Sequence, residues 1–333
     1  MAFNLVPIIH RAIMVGTPLL FGSTGEILTE KSGHLNLGTP GIMYIGAITG
    51  VMGAFFYQQA VGVAHLNPVL ILIIPMLSCL LGSLLASLLY CFLTVTLHAN
   101  QNVTGLALTT FGVGFGNFFG GSLVRIVNKG QAMTSTSIAL TKFAKVYKTT
   151  LPFADKLGWF GELFLNYGFL VYLAIVAAVV VSIFLKRTRS GLYLRAVGEN
   201  PATADAAGIN VTKYRYLSTC IGGMIAGLGG LYYIMDYTNG VWSNDGFGDR
   251  GWLAIALVIF AVWKPLRGII GSYLFGALYI LFAYVHVSME FQPLLQMLPY
   301  VVTIIVLIIT SIQDKREAQP PAGLGLNYYR EDR

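Results

Sequence analysis

The 333-residue chain is 56% hydrophobic and only 11% charged, with a formal net charge of +7, whereas a soluble domain carries about 25% charged residues. No Asp, Glu, Lys or Arg occurs from Ser32 to Val124, a stretch of 93 residues from which no water-exposed surface can be built. A soluble globular protein is excluded, and because the basic residues flank apolar runs, no nucleic acid is needed to account for them.

Nine apolar runs follow one another at about 5–24, 38–57, 68–95, 103–124, 168–185, 216–235, 251–263, 266–287 and 294–313. Continuous runs of ~20 apolar residues cross a bilayer as helices, whose backbone groups bond internally, while a barrel would show alternation. The expected fold is all-α: a polytopic membrane bundle of eight to ten transmembrane helices, some broken, with one helix lying at the cytoplasmic surface. The count is a range because 68–95 is long enough to tilt and 251–263 is too short to cross unaided. No small-residue cleavage site follows the first run, so it reads as a retained span. Cys79, Cys91 and Cys220 lie within apolar runs and form neither a disulfide nor a metal pattern.

The segment 25–41 is polar for its surroundings. Glu26 to Lys31 reads as a surface loop, with a pathway role as the alternative, and Asn36, flanked by leucines and the Gly38-Thr-Pro-Gly41 break, is the better pathway candidate. The run 103–124 carries Thr104 and Asn117 and is preceded by Asn102. These neutral donors and acceptors suit a hydroxyl-rich cargo, and equally suit bonds between helices. No intramembrane acid falls in the spans between 32 and 124, which counts against coupling to an ion gradient.

Residues 186–215 hold six Lys/Arg against Glu199 and Asp205, while 236–250 holds Asp236, Asp245 and Asp249 against Arg250 alone. Lys/Arg bias therefore places 186–215 in the cytoplasm and 236–250 outside. The long loop 125–167 also carries six Lys/Arg, against two acids, yet alternation puts it outside. Within 186–215, Asn200 is a good N-cap, Pro201 a good first helical residue and Gly208 a stop, which predicts a helix of about two turns. So short a helix must dock on something, either its own membrane domain or a soluble partner. Trp242, Asp245 and Asp249 make 236–250 a candidate docking loop on the opposite side. Residues 1–313 read as one membrane domain and 314–333 as a disordered cytoplasmic tail.

The loop segments Arg195-Ala-Val-Gly-Glu-Asn-Pro201 and Ala206-Ala-Gly-Ile-Asn-Val211 resemble the coupling segment of ATP-binding-cassette importer permeases of the branched-chain amino acid, simple sugar and nucleoside group. Further landmarks are Gly25-Glu-Ile-Leu-Thr-Glu-Lys-Ser-Gly-His-Leu-Asn-Leu-Gly-Thr-Pro-Gly-Ile-Met43, Thr104-Gly-Leu-Ala-Leu108 and Gly251-Trp-Leu-Ala-Ile-Ala-Leu-Val-Ile-Phe260, which look most like the nucleoside and simple-sugar branch. The resemblance implies a multi-pass subunit of the cytoplasmic membrane. Its implied partners are a second related permease, an ATPase subunit carrying ATP and Mg, and an extracytoplasmic substrate-binding lipoprotein. Arg195, Glu199, Asn200, Pro201, Asp205 and Gly208 would then couple to the ATPase. The chain has no phosphate-binding Gly-x-x-x-x-Gly-Lys-Ser/Thr loop, no metal cluster and no catalytic constellation, so neither an enzyme nor a resident cofactor is expected. A nucleoside is the expected cargo, with a pentose-like sugar as the alternative, and an ion-coupled secondary transporter is the reading from another class.

Overall fold

The computed structural model describes residues 5–127, 138–150, 158–281, 284, 291–313 and 319–329. Parts of the 125–167 loop and of the 266–287 run lie outside these residues. A helix stands on each of the nine apolar runs: α1 (Leu5–Glu30), α2 (Thr39–Val61), α3 (Pro68–Cys91), α4 (Gln101–Val127), α7 (Phe169–Arg187), α10 (Val211–Tyr232), α11 (Arg250–Phe260), α12 (Pro265–Ile280) and α14 (Leu298–Gln313). Short helices lie between them: α5 (Thr141–Tyr147), α6 (Gly158–Phe164), α8 (Arg189–Glu199), α9 (Pro201–Ala206) and α13 (Gln292–Gln296). Among the described residues, six helices are long and apolar enough to cross a membrane: Val6–Glu30, Thr39–Val61, Pro68–Thr96, Phe169–Arg187, Val211–Tyr237 and Gln292–Ile309. The protein is an all-α polytopic bundle, and its two-residue strands, Ile138–Ala139 and Val241–Trp242, merely pin one loop to another.

Helices α1 and α10 form the axis of the bundle. Gly25 and Gly222 face one another, and a methyl on either would strike the other's backbone carbonyl. Small residues let helix backbones approach where lipid supplies no hydrophobic drive. Around this pair α2, α3 and α4 pack on one flank and α7, α11 and α12 on the other. Their shared core includes Leu20, Met43, Tyr44, Cys79, Leu231 and Trp242. The outward faces of α3 and α14 carry exposed Leu81, Leu85, Ile304 and Ile308, the side chains that meet lipid.

Two expectations are corrected here. Glu26 to Lys31 is no surface loop: α1 runs through Glu30, and Glu26 and Glu30 are 1% and 4% exposed. The Glu26 carboxylate accepts from Asn36 N (3.1 Å) and from Thr39 Oγ1, while Glu30 accepts from Trp263 Nε1. Nor is the tail a free strand. Residues 319–329 lie against the bundle, with Gly323 N donating to Gly198 O (2.9 Å), Gly325 N to Gly33 O (3.2 Å) and Asn327 Nδ2 to His98 O (2.7 Å).

The linker 31–38 is fixed by His34, which is fully buried between Thr94 and Thr219. Thr94 Oγ1 donates to Tyr90 O (2.7 Å), so it accepts from His34 Nε2 (2.8 Å); Nδ1 then accepts from Thr219 Oγ1 (2.7 Å). This arrangement requires a neutral ring. Burial, with Arg215 nearby, pushes the imidazole down to about 3. A base depressed in the folded state leaves the unfolded chain binding more protons, so stability falls as pH drops below about 6.5. Between pH 7.5 and 5 this group contributes a loss of about 2 kcal/mol. His34→Gln is expected to flatten the acid side of the melting-temperature profile of the solubilised protein; an unchanged slope would remove His34 as its source.

Candidate functional site

Two regions of the fold are built for something other than packing. The first is the basic end, where α7 ends in Lys186 and Arg187, and Thr188 caps α8 by accepting from Gly191 N (3.0 Å). The chain then turns at Asn200, whose Oδ1 accepts from Thr203 N (3.0 Å) and starts α9, with Pro201 at its first position. Gly208 takes φ +82°, a left-handed conformation that ends the helix cheaply only for glycine. Asn210 starts α10 in the same way as Asn200 starts α9, accepting from Lys213 N (2.8 Å). Three side-chain caps in about twenty residues turn a polar loop into a defined helical elbow.

The elbow is braced by the tail. Tyr328 OH donates to Asp205 Oδ2 (2.7 Å), and Ala322 N donates to Glu199 Oε2 (3.3 Å). Gln101 at the start of α4 donates to Asn327 Oδ1 (3.1 Å) and accepts from Leu35 N (2.8 Å). Arg195, Glu199 and Asn200 are exposed, Pro201 and Asp205 half-buried. Of the six residues expected to act together at this end, Arg195 and Glu199 line one hollow and Asp205 and Gly208 another, and Asp205 and Glu199 also hold this chain's own C-terminus. Sequence reading missed Tyr328 because nothing local links it to a residue 123 positions away.

The second region lies within the bundle. The start of α2 is recessed: Gly41 packs on Leu108 and Thr109 of α4, and Thr109 Oγ1 donates to Leu37 O (2.8 Å). The chain before α11 dips in from the opposite end, so the two helix N-termini meet. A Cβ on Gly251 would stand 2.5 Å from Pro40 Cα. Beside this junction Asn117, 16 residues or about 24 Å along α4, binds three ways. It accepts from Tyr44 OH (3.0 Å) and Asp245 N (3.2 Å) and donates to Asp245 Oδ1 (2.9 Å).

Helix α4 has two unlike faces. Gly105, Gly112, Gly116 and Gly120 meet Leu37, Gly41, Tyr44 and Trp242, whereas Gly114 and Gly121 face open space. On this open side Asn102, Thr110 and Phe118 are exposed, and Asn117 is half-buried. Thr104 is half-buried near the helix start.

Not every expected residue fits its expected role. Asn36 is 1% exposed, and its Oδ1 accepts from Gly38 N (3.0 Å), so its side chain shapes the turn into α2. Trp242 is 2% exposed and seated against Gly120 and Tyr44, which takes its ring out of any docking surface. Asp245 and Asp249 remain exposed. Asn117 and Asp245, assigned from sequence to separate sites, are direct partners. Among the described residues no group of His, Cys, Asp and Glu is arranged to hold a metal ion.

These features, two helix N-termini meeting inside a polytopic bundle and a capped elbow at its basic end, are those of a membrane permease subunit. The chain belongs to the family described as branched-chain amino acid transport system / permease component, which matches residues 8–309. It is 32% identical over 329 residues to the nucleoside ABC transporter permease protein NupC of Lactococcus lactis subsp. cremoris, covering 96% of each chain. It is 31% identical to the guanosine ABC transporter permease protein NupQ of Bacillus subtilis, over 80% of this chain and 79% of that one. A Haloferax volcanii protein named for glucose ABC transport, TsgC13, is 34% identical over 81% of this chain and 75% of its own. No solved structure matches the chain.

The elbow yields a local prediction. Asn200→Ala removes the cap of α9, a change of about 1 kcal/mol that should raise amide exchange over 202–206 about fivefold. Equal exchange in the two proteins would mean that the tail alone holds the helix.

Proposed function

We propose that this chain is one of two related permease subunits of an ATP-driven importer that moves nucleosides into the cell. The observation that carries the reading is the junction of the α2 and α11 N-termini inside the bundle. Discontinuous helices whose N-terminal ends meet inside a bundle are a recurrent way to line a path, since freed backbone groups are tolerated only against protein or water. The N–H groups there favour oxygen lone pairs. Asn117, Thr110 and Asp245 add neutral and acidic partners suited to ribose hydroxyls and base edges. End-to-end similarity to NupC supports nucleosides as cargo, and the likeness to TsgC13 keeps a simple sugar as the second reading.

In this reading the open face of α4, with its bare Gly114 and Gly121, meets the second permease, and the path runs between the two. The α8–α9 elbow lies on the cytoplasmic side and receives a separate ATPase, which holds ATP and Mg. Arg195, Glu199 and Asp205 are its polar contacts, and closure of the ATPase moves α9 against α10, which follows it directly. An extracytoplasmic binding lipoprotein delivers cargo near Asp245 and Asp249.

Three experiments test this reading. Cells carrying the complete set of subunits should take up labelled nucleoside, and cells lacking only this chain should not; loss confined to a sugar would change the cargo, and no loss at all would end the proposal. Replacing Glu199-Asn-Pro by Gly-Gly-Gly should abolish uptake while the protein stays inserted and ATP hydrolysis continues. Asn117→Ala should reduce uptake by about tenfold or more if it acts in the path, on the scale of one or two lost hydrogen bonds. Full uptake by that variant would confine Asn117 to packing.

A further inference from the structure

The basic end holds a cavity of about 670 Å³ between α7, α8, the 31–38 linker and the turn before α12. Its lining brings together Lys31, Lys186, Arg195 and Lys264, each from a different element, against the single carboxylate of Glu199 among the described lining residues. A smaller adjoining pocket is lined by the same four cations, with Ser182 and Pro265 at its floor. The tail closes one side through Gln319 and Pro321, and Leu192 and Ala196 give the wall an apolar strip.

The Lys/Arg bias of this face explains why cations are present, but not why these four converge. Arg187, Arg189, Lys213 and Arg267 are exposed elsewhere in the same region and line neither of these two pockets. Lys31 is only partly exposed; burial lowers its ammonium, Glu199 acts against this, and Arg195 and Lys264 add repulsion. A concave site lined mainly by charges of one sign focuses a positive potential that attracts anions. An Arg fork beside Lys ammonium groups is the donor set that phosphate oxygens fit, the fork pairing two oxygens and the lysines acting as point charges.

We propose that this cavity binds a phosphate group, either the headgroup of an anionic inner-leaflet lipid or a soluble phosphate compound of the cytoplasm. The ligand bridges Lys186 at the end of α7, Arg195 on α8 and Lys264 before α12. Its occupancy thereby ties the elbow to two membrane helices. The site is independent of which cargo the permease carries.

The full-length chain, purified in detergent, tests this by native mass spectrometry with phosphatidylglycerol against phosphatidylcholine, and by melting shifts with inorganic phosphate and with AMP. The variant Lys186→Gln/Lys264→Gln is compared with Arg187→Gln/Arg189→Gln, which removes the same charge from the same face outside the cavity. The first pair should weaken binding by about tenfold or more, with little change in the second. Lys186→Arg/Lys264→Arg should retain binding, and Lys186→Gln alone serves if the double variant misfolds. Selective retention of phosphatidylglycerol identifies a lipid ligand, and a melting shift with phosphate or AMP identifies a soluble one. Equal loss in both charge-removing pairs, or no binding in either arm, overturns the proposal.

Discussion

The Glu26 carboxylate is the contact on which the interior arrangement rests. It sits inside α1, buried, and takes Asn36 N and the Thr39 hydroxyl. Those two donors lie where the linker ends and α2 begins, at a depth with no water to satisfy them. A hydrogen bond contributes about 0.5–1.5 kcal/mol net, and losing the acceptor would leave the buried Asn36 N–H without its partner, whereas Thr39 Oγ1 keeps Asn36 O (3.2 Å). The carboxylate thus fixes α2 in its recessed position. From that position follow the close packing of Gly41 on α4 and the meeting of Pro40 with Gly251. Glu30, one turn along α1, does the same for the other break by accepting from Trp263, whose backbone is left-handed at φ +51°.

These two acids also bear on the class of transporter. Intramembrane carboxylates mark ion coupling by default, and the sequence argument against coupling considered only residues after Ser32. Both carboxylates here are engaged with fixed donors of their own chain, which gives them a structural use. Their presence in α1 therefore does not revive an ion-driven mechanism. In the proposed reading the energy source is ATP on a separate subunit.

Much of the architecture was legible because its signals are local. Apolar runs of bilayer length gave the helices, and Asn200, Pro201 and Gly208 marked both ends of α9 within eight residues of sequence. What remained hidden was set by pairing over long separations. Asn117 meets Asp245 across 128 positions, and Asp205 meets Tyr328 across 123. The tail looked disordered because it joins Pro320-Pro321-Ala-Gly-Leu-Gly to a charged end, yet its backbone donors find the carbonyls of Gly198 and Gly33. Glu26 to Lys31 looked like a loop because charge in an apolar region usually marks an interface; the tertiary acceptor role of Glu26 overrode that pattern.

The same pairings constrain how the elbow can signal. Glu199 and Asp205 are the acids best placed to meet a soluble partner, and both already bind residues 322 and 328 of the tail. A partner that takes either carboxylate must share it or displace the tail, and the tail also reaches Gln101 at the foot of α4 through Asn327. Gln101 in turn accepts from Leu35 N, in the linker that Glu26 pins. A continuous set of hydrogen bonds therefore runs from the elbow through the tail to the start of α4 and the recessed α2. Displacement of the tail would loosen the two helices that flank the interior junction, so the C-terminal segment braces α9 and, in the proposed reading, would link the elbow mechanically to the path.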